Sequence, residues 1–338
     1  MQFVSIICPI LNEEKFIDKC VESIIAQYYP KDSLEVFFVD GMSTDKTREI
    51  VQNYSKKYSY IKLLDNNDKV VPHALNLGIK ASNGEVIIRI DGHCVYPTDY
   101  ISTLVMYLFE LNADNVGAVW NTLPAKNNSI CRAIAIGSSH KFGVGDSKHK
   151  VGAKDIIETD TVPFGCYRRD VFDKIGLFDE ELIRNQDDEF NARLVRSGGK
   201  IFLIPDLVIN YTARDSVAKM SKMYYQYGLF KPLVNLKIGA PATIRQFFPI
   251  AFLLGLTVGG LLSIYSDYFL IPYIFVICLY LLLSLIFGVK GATKNKDLKL
   301  IILLPIVFFT IHISYGYGYL VGIYKLIMRK KFNVEINR

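Results

Sequence analysis

The chain has 338 residues, 51% of them hydrophobic, a mean hydropathy of +0.23 and a formal charge of +6. That is long enough for one large core plus an appendage, and too apolar for a wholly soluble domain. Of 39 basic and 33 acidic residues, 9 and 3 lie from Gln246 onward, which leaves 30 of each before it, so the net charge flanks apolar runs and is no nucleic-acid footprint.

In chain order, Val4 to Cys8 is an apolar run stopped by Pro9, and Asn12 has the chemistry of a helix N-cap. Ile17, Val21, Ile24 and Ile25 recur at helical spacing. Val36 to Val39 reads as a second strand ending at Asp40-Gly41, and Thr44 or Asp45 is placed to cap the helix bearing Ile50, Val51 and Tyr54. Ile61 to Leu64 and Val86 to Ile90 supply two more strands around a helix from Pro72 to Ala81. Repeated strand–helix–strand units with continuous apolar strands predict an α/β domain with a doubly wound, mostly parallel sheet. Strands return at Val116–Trp120 and Lys200–Ile204, around a helix from Asp187 to Ser197 that stops at Gly198-Gly199.

Residues 1–212 are expected to form this domain, and 213–245 a segment with a basic interfacial or surface helix, since Lys219, Lys222 and Lys231 mix with Met220, Met223 and several tyrosines. Residues 246–338 are expected to form a membrane domain with apolar runs at 247–265, 269–289 and 300–324, each about the length that spans a bilayer. Lys290, Lys294, Lys296 and Lys299 place the second loop in the cytosol, as does Arg245 before the first run. Three full spans would send Arg329-Lys330-Lys331 outside, so the third run is expected to bend back near Tyr315-Gly316-Tyr317-Gly318. Met1 to Ser5 carries no charged leader, and the first domain is expected to stay cytosolic on a multi-pass plasma-membrane protein. The six cysteines show no paired spacing and read as free thiols.

Four short stretches at strand ends carry chemistry. Pro9 to Glu14 could grip a nucleoside through its backbone and the Asn12 amide, or Asn12 could simply cap a helix. Asp40 could accept a hydrogen bond from a base or ribose, or serve a turn; Asn76 could reach a ligand or be a surface amide. Asp91 and His93, two residues apart after a strand, could share a divalent cation. Among Asp187, Asp188 and Glu189, first-turn carboxylates suit the helix dipole, but successive helical residues face different ways, so only one can enter a site, and Asp187 is preferred. Arg193 could tie down a carboxylate or a diphosphate, and Trp120 could stack on a sugar but, ending an apolar strand, is expected in core packing.

The ordered set Ile7-Cys8-Pro9-Ile10-Leu11-Asn12-Glu13-Glu14, Val39-Asp40-Gly41-Met42-Ser43-Thr44-Asp45, Leu75-Asn76-Leu77-Gly78, Ile90-Asp91-Gly92-His93, Val162 to Arg169, Gly176 to Glu180 and Asn185 to Leu194 resembles the family 2 glycosyltransferases of GT-A fold. Coverage is about residues 3–230, and the pattern is most similar to the glucosyltransferases of succinoglycan biosynthesis. The resemblance implies an inverting enzyme in cell-surface polysaccharide biosynthesis. It would move a hexose from a UDP-sugar to a lipid-linked glycan acceptor on a polyprenyl diphosphate, with membrane lipid and other polysaccharide-assembly proteins as partners. It implies Asp187 as catalytic base; Pro9, Asn12, Glu13, Asp40, Asn76 and Asp91 on the nucleotide-sugar; and Asp91 with His93 on Mn²⁺ or Mg²⁺. His93 stands where the family usually has a second Asp, and imidazole suits Mn²⁺ better than Mg²⁺. The Gln-x-x-Arg-Trp of processive synthases is absent, so addition of one sugar is expected. The alternatives are direct transfer to polyprenyl phosphate, or a non-catalytic subunit that binds a sugar nucleotide.

Overall fold

The computed structural model describes residues 1–241 and 243–332. In chain order the elements are β1 (Val4–Ile10), α1 (Ile17–Ile25), β2 (Leu34–Asp40), α2 (Thr47–Lys57), β3 (Ile61–Asp65), α3 (Val71–Ala81), β4 (Val86–Arg89), α4 (Tyr100–Glu110) and β5 (Asn115–Leu123). Then come α5 (Ser129–Ser139), α6 (Lys141–Val144), α7 (Lys148–Val151), β6 (Ile157–Glu158), β7 (Cys166–Arg168), α8 (Asp170–Ile175), α9 (Gln186–Arg196) and β8 (Ile201–Thr212). The chain closes with α10 (Val217–Ile238), α11 (Phe248–Ser263), α12 (Asp267–Asn295) and α13 (Leu300–Ile327).

Two compact units result, Met1–Asn121 with Gly152–Tyr211, and Thr122–Val151 with the described residues from Thr212 onward. Residues 122–151, counted with the first domain on sequence, pack in the second unit. The first unit carries a sheet in the order β3-β2-β1-β4-β7-β5-β8-β6. Strands β1 to β4 pair in parallel, whereas β7 is antiparallel to β4 and β5, so the sheet is mixed. Side-chain alternation divides the core between its faces. Ile6, Cys8, Ile10, Ile88 and Ile90 meet α1 and α4 on one side. Ile7 and Ile87 meet α3 and α9 on the other. The described cysteines are free, all buried except Cys278.

One helix start differs from expectation. Asn12 does not cap α1, which begins five residues later without a side-chain cap; Asn12 is left-handed (φ 54°) and its amide oxygen accepts from Thr44 N at 2.8 Å. Asp45 does serve α2, accepting from Thr47 N at 3.0 Å.

In the second unit α10 is no free surface helix, because Met220, Met223, Tyr224, Leu229, Phe230 and Lys231 are buried. It packs along α13 through glycines: a Cβ on Gly228 would come within 2.1 Å of Tyr315 O, and one on Gly318 within 2.1 Å of Tyr225 O. Such close backbone approach is what small residues allow between helices. The same glycines answer the expected bend. Helix α13 runs unbroken from Leu300 to Ile327, and Gly316 and Gly318 seat neighbouring backbone instead of turning the chain. Helix α11 together with the helical turn before it (Ile244–Ser263), α12 and α13 are each long and apolar enough to cross a membrane.

Candidate active site

In the order β3-β2-β1-β4 the chain winds outward from β1 and returns to its other side, so the crevice above β1 and β4 is a topological switch point. Glu13 follows β1, and Asp91 and His93 follow β4, which brings all three there. His93 Nδ1 lies 3.4 Å from Glu13 Oε1 and 3.3 Å from Asp91 Oδ1, and the three donor atoms fall within 4.8 Å of one another. Backbone contacts hold the turn. Asp91 N donates to Tyr96 Oη at 2.8 Å, Glu13 N donates to Thr47 Oγ1 at 2.6 Å, and a Cβ on Gly92 would sit 2.9 Å from Ile10 Cγ2. Two carboxylates and an imidazole, mutually placed like this, fit a divalent cation.

Arg89, the last residue of the otherwise apolar strand β4, points to the face covered by α9 and meets Asp187 there. Arg89 Nη1 forms an ion pair with Asp187 Oδ2, and the guanidinium is nearly fully buried. Asp187 Oδ1 has no hydrogen-bond partner. Burial raises the Asp187 carboxyl above its ordinary range; Arg89 opposes that shift, while Asp188 and Asp91 reinforce it. A lone carboxylate oxygen with raised basicity, its twin held by arginine, is an arrangement that can accept a proton.

The other helix-start acids do different work. Glu189 is gripped by Arg193 at 2.8 and 2.9 Å, and Arg193 also donates to Leu177 O, so Arg193 ties a carboxylate and a loop. Asn191 is wholly buried, accepting from Asn115 and donating to Thr161 Oγ1 and Val162 O, which fixes the approach to Phe164. Phe164 is a bulky residue in the left-handed region (φ 52°), a conformation that clusters at functional sites. Its ring lies 5.4 Å beneath the Arg89 guanidinium and 5.5 Å from Trp120. Trp120 in turn stacks on Tyr211 at 4.3 Å, and Tyr211 lies 6.2 Å from the His93 ring. An aromatic row thus runs from Arg89 to His93, and Trp120 belongs to it while also packing on the core.

Three sequence candidates are placed otherwise. Asp40 is fully buried and accepts from Ser43 N, Ser43 Oγ and Arg48, so it shapes the turn after β2 and offers no free oxygen to a base. Asn76 is also buried; it donates to Phe178 O and Glu180 and accepts from Phe178 N, a clamp on that loop that leaves no amide hydrogen for a ligand. Pro9 lies buried inside β1. Asn12 joins the loops after β1 and β2 in both directions, since its backbone N–H also donates to Ser43 Oγ at 2.9 Å. Arg89 was legible in principle, because a charge inside a buried strand requires a partner. Glu13 as a third ligand and the aromatic row depend on loops meeting in space.

Residues 5–176 match the family model described as glycosyl transferase family 2. The chain is 32% identical over 336 residues to a dolichyl N-acetyl-α-D-glucosaminyl phosphate 3-β-D-2,3-diacetamido-2,3-dideoxy-β-D-glucuronosyltransferase of Methanococcus voltae, covering 96% of this chain and 98% of that one. It is 29% identical over 269 residues to the succinoglycan biosynthesis protein ExoA of Rhizobium meliloti, covering 79% and 80%. Among solved structures, the mannosyltransferase PcManGT from Pyrobaculum calidifontis, in complex with GDP-Man and Mn²⁺, superposes with TM-score 0.61 at 18% identity over 90% of this chain and 86% of that one. Residues 1–349 of S. aureus TarS, with UDP-GlcNAc, give 0.54 at 17% over 98% and 94%.

Proposed function

Because the chain belongs to glycosyl transferase family 2, we propose that it is an inverting enzyme that transfers a sugar from UDP to a polyprenyl-phosphate- or diphosphate-linked glycan in cell-surface polysaccharide synthesis. The observation that carries this reading is that the Glu13–Asp91–His93 donor set and the Arg89-paired carboxylate of Asp187 lie about the end of β4, near enough for Asp91 to act on the Asp187 charge. The Asp187 carboxylate takes the proton of an acceptor hydroxyl. The acceptor oxygen bonds to the anomeric carbon from the face opposite UDP, the bond to the diphosphate breaks with its electron pair, and the centre inverts. Base catalysis of this kind contributes about 10²–10⁴-fold.

Arg89 keeps the second Asp187 oxygen in place and favours the ionised base. A divalent cation held by Glu13, Asp91 and His93, Mn²⁺ in preference to Mg²⁺ given the imidazole, would neutralise the diphosphate. Asn12 and Asp40 act on the nucleotide by fixing the two loops that would receive it. The row Phe164–Trp120–Tyr211 gives a sugar ring an apolar face to lie on. The β-linked uronosyl product in the Methanococcus relative's name is what inversion of an α-linked donor gives. Its lipid-phosphate acceptor, with the apolar helices here, supports a lipid-linked acceptor met at a membrane.

The test is UDP release by the detergent-purified protein across a panel of UDP-sugars, with and without membrane lipid extract, as Mn²⁺ is titrated. Turnover with one donor that rises with lipid and disappears with chelator is expected. No UDP release from any donor would overturn the reading.

A further inference from the structure

We propose that α13 lies along the membrane surface and does not cross it, so that the anchor is the two-helix hairpin α11–α12. The hairpin is defined by its own contacts. Phe252 stacks on Tyr280 at 4.3 Å, and Gly259 and Gly260 meet the Tyr273 ring, so α11 and α12 run antiparallel. A third span would run antiparallel to α12 and therefore parallel to α11. With His312 and Phe309 beside Phe252 at 6.1 and 6.3 Å, the following turns of α13 would then lie beside Leu256 and Gly259. They lie the opposite way. Gly316 abuts Pro249 O, and Tyr319 lies 6.1 Å from Phe247.

The other arm of α13 also meets the base of the hairpin, with Ile301 against Gly288 and Leu304 against Gly291. Lys290 marks that edge on α12, and Arg245 marks it just before α11. Residues 301 and 319 are about 27 Å apart along a helix, yet both touch the charged end of the hairpin. The axis between them runs along the membrane boundary. The far half of the hairpin stands apart: a Cβ on Gly255 would meet open space, and Leu261, Ile271 and Phe275 are exposed as lipid-facing residues are.

Packing and charge agree. Helix α10, which lines the carboxyl half of α13, carries Lys219, Lys222, Lys231 and Lys237, and would have to enter the hydrocarbon beside a crossing α13. The exposed stripe Ile302, Ile306, Phe309, Tyr324 and Ile327 fits the headgroup–acyl boundary of a leaflet, with Lys325, Arg329 and Lys330 at its end for anionic headgroups. An in-plane α13 also leaves Arg245, Lys290 to Lys299 and Arg329 to Lys331 on one side of the membrane, as the positive-inside bias favours.

The experiment uses the full chain with Cys278→Ser, which removes the exposed thiol, and adds Tyr265→Cys at the hairpin tip or Met328→Cys at the end of α13. A membrane-impermeant maleimide is applied to intact cells and to permeabilised cells. Labelling of the two positions from opposite sides is expected; labelling from the same side would mean that α13 crosses. Should either variant fail to insert, nitroxide labels at Ile306→Cys, Ile327→Cys and Ile274→Cys decide by depth. Equal shallow depths for the first two and a deep position for the third are expected, and opposite-leaflet depths for the first two would overturn the proposal.

Discussion

The two units are stabilised by different means. In the first, polar side chains are buried and answered. Glu35 accepts from Ser5 Oγ at 2.7 Å, Asn83 N at 2.6 Å and Lys62 at 2.9 Å, Asn191 closes a buried amide network, and Arg89 meets Asp187. In the second, glycines bring backbones together at Gly228, Gly318 and Gly322, and a few polar pairs pin the apolar parts. His312 is one of these, with Nε2 2.8 Å from Phe142 O and Nδ1 2.9 Å from Tyr280 Oη. Buried charge in the first unit is directional and sets up chemistry, because each group fixes the geometry and protonation of the next. Close packing in the second fixes shape and carries little chemical information.

That contrast is broken or sharpened by substitution. The largest effect is expected for Asp187→Asn, which removes the base: transfer should fall about 10²–10⁴-fold while UDP-sugar binding, followed by calorimetry, stays within a few-fold of wild type. Next, removing a metal ligand by His93→Ala is expected to raise the Mn²⁺ concentration for half-maximal activity by at least the ~10–100-fold seen for weaker perturbations around a metal; an unchanged Mn²⁺ dependence would remove His93 from the ligand set.

Arg89→Gln tests the coupling between base and strand. Burial already raises the Asp187 carboxyl, and Arg89 holds the shift down. Activity requires the ionised carboxylate, so it falls as pH drops through that raised value. Without the guanidinium the acid limb of the pH–rate profile should move upward by about 1–3 pH units, with transfer partly restored at alkaline pH. Leaving Asp187 unpaired should also lower stability by about 3–5 kcal/mol, measurable by thermal melting. An unmoved acid limb would mean that Arg89 does not tune the base.

The smallest effect is expected in the second unit. A Cβ at Gly318 would lie 2.1 Å from Tyr225 O, so Gly318→Ala must push the backbones of α10 and α13 apart. Overpacking of this kind costs about 1–3 kcal/mol. The melting temperature in detergent should drop while KM for the UDP-sugar is unchanged; a changed KM with an unchanged melt would blur the distinction between the units.

What can be read in the sequence follows the same division. The strands ending at Ile10, Asp40 and Arg89, and the helices over 71–81 and 186–196, are announced by continuous apolar runs and helical spacing. The residues Asp91, His93 and Asp187 stand out only as members of the ordered set that resembles the family, since acids are common at strand ends and in the first turn of helices. Asp40 and Asn76 read as ligand contacts because a lone acid or amide gives no sign of internal partners, here Ser43 and Arg48 for one and the 178–180 loop for the other. Glu13 reads as a nucleotide contact alone because its proximity to His93 arises from two loops far apart in the chain. In the second unit apolar composition does not distinguish a span from a packed helix, and Gly316 and Gly318 read as a bend because glycine permits both turning and close approach.

The most direct measurement is the anomeric configuration of the transferred sugar, read by proton NMR on product made from an α-linked UDP-sugar. A β-linked product is predicted, since Asp187 acts on an acceptor attacking opposite the diphosphate. An α-linked product would mean retention, and would contradict Asp187 as the base of a single inverting displacement.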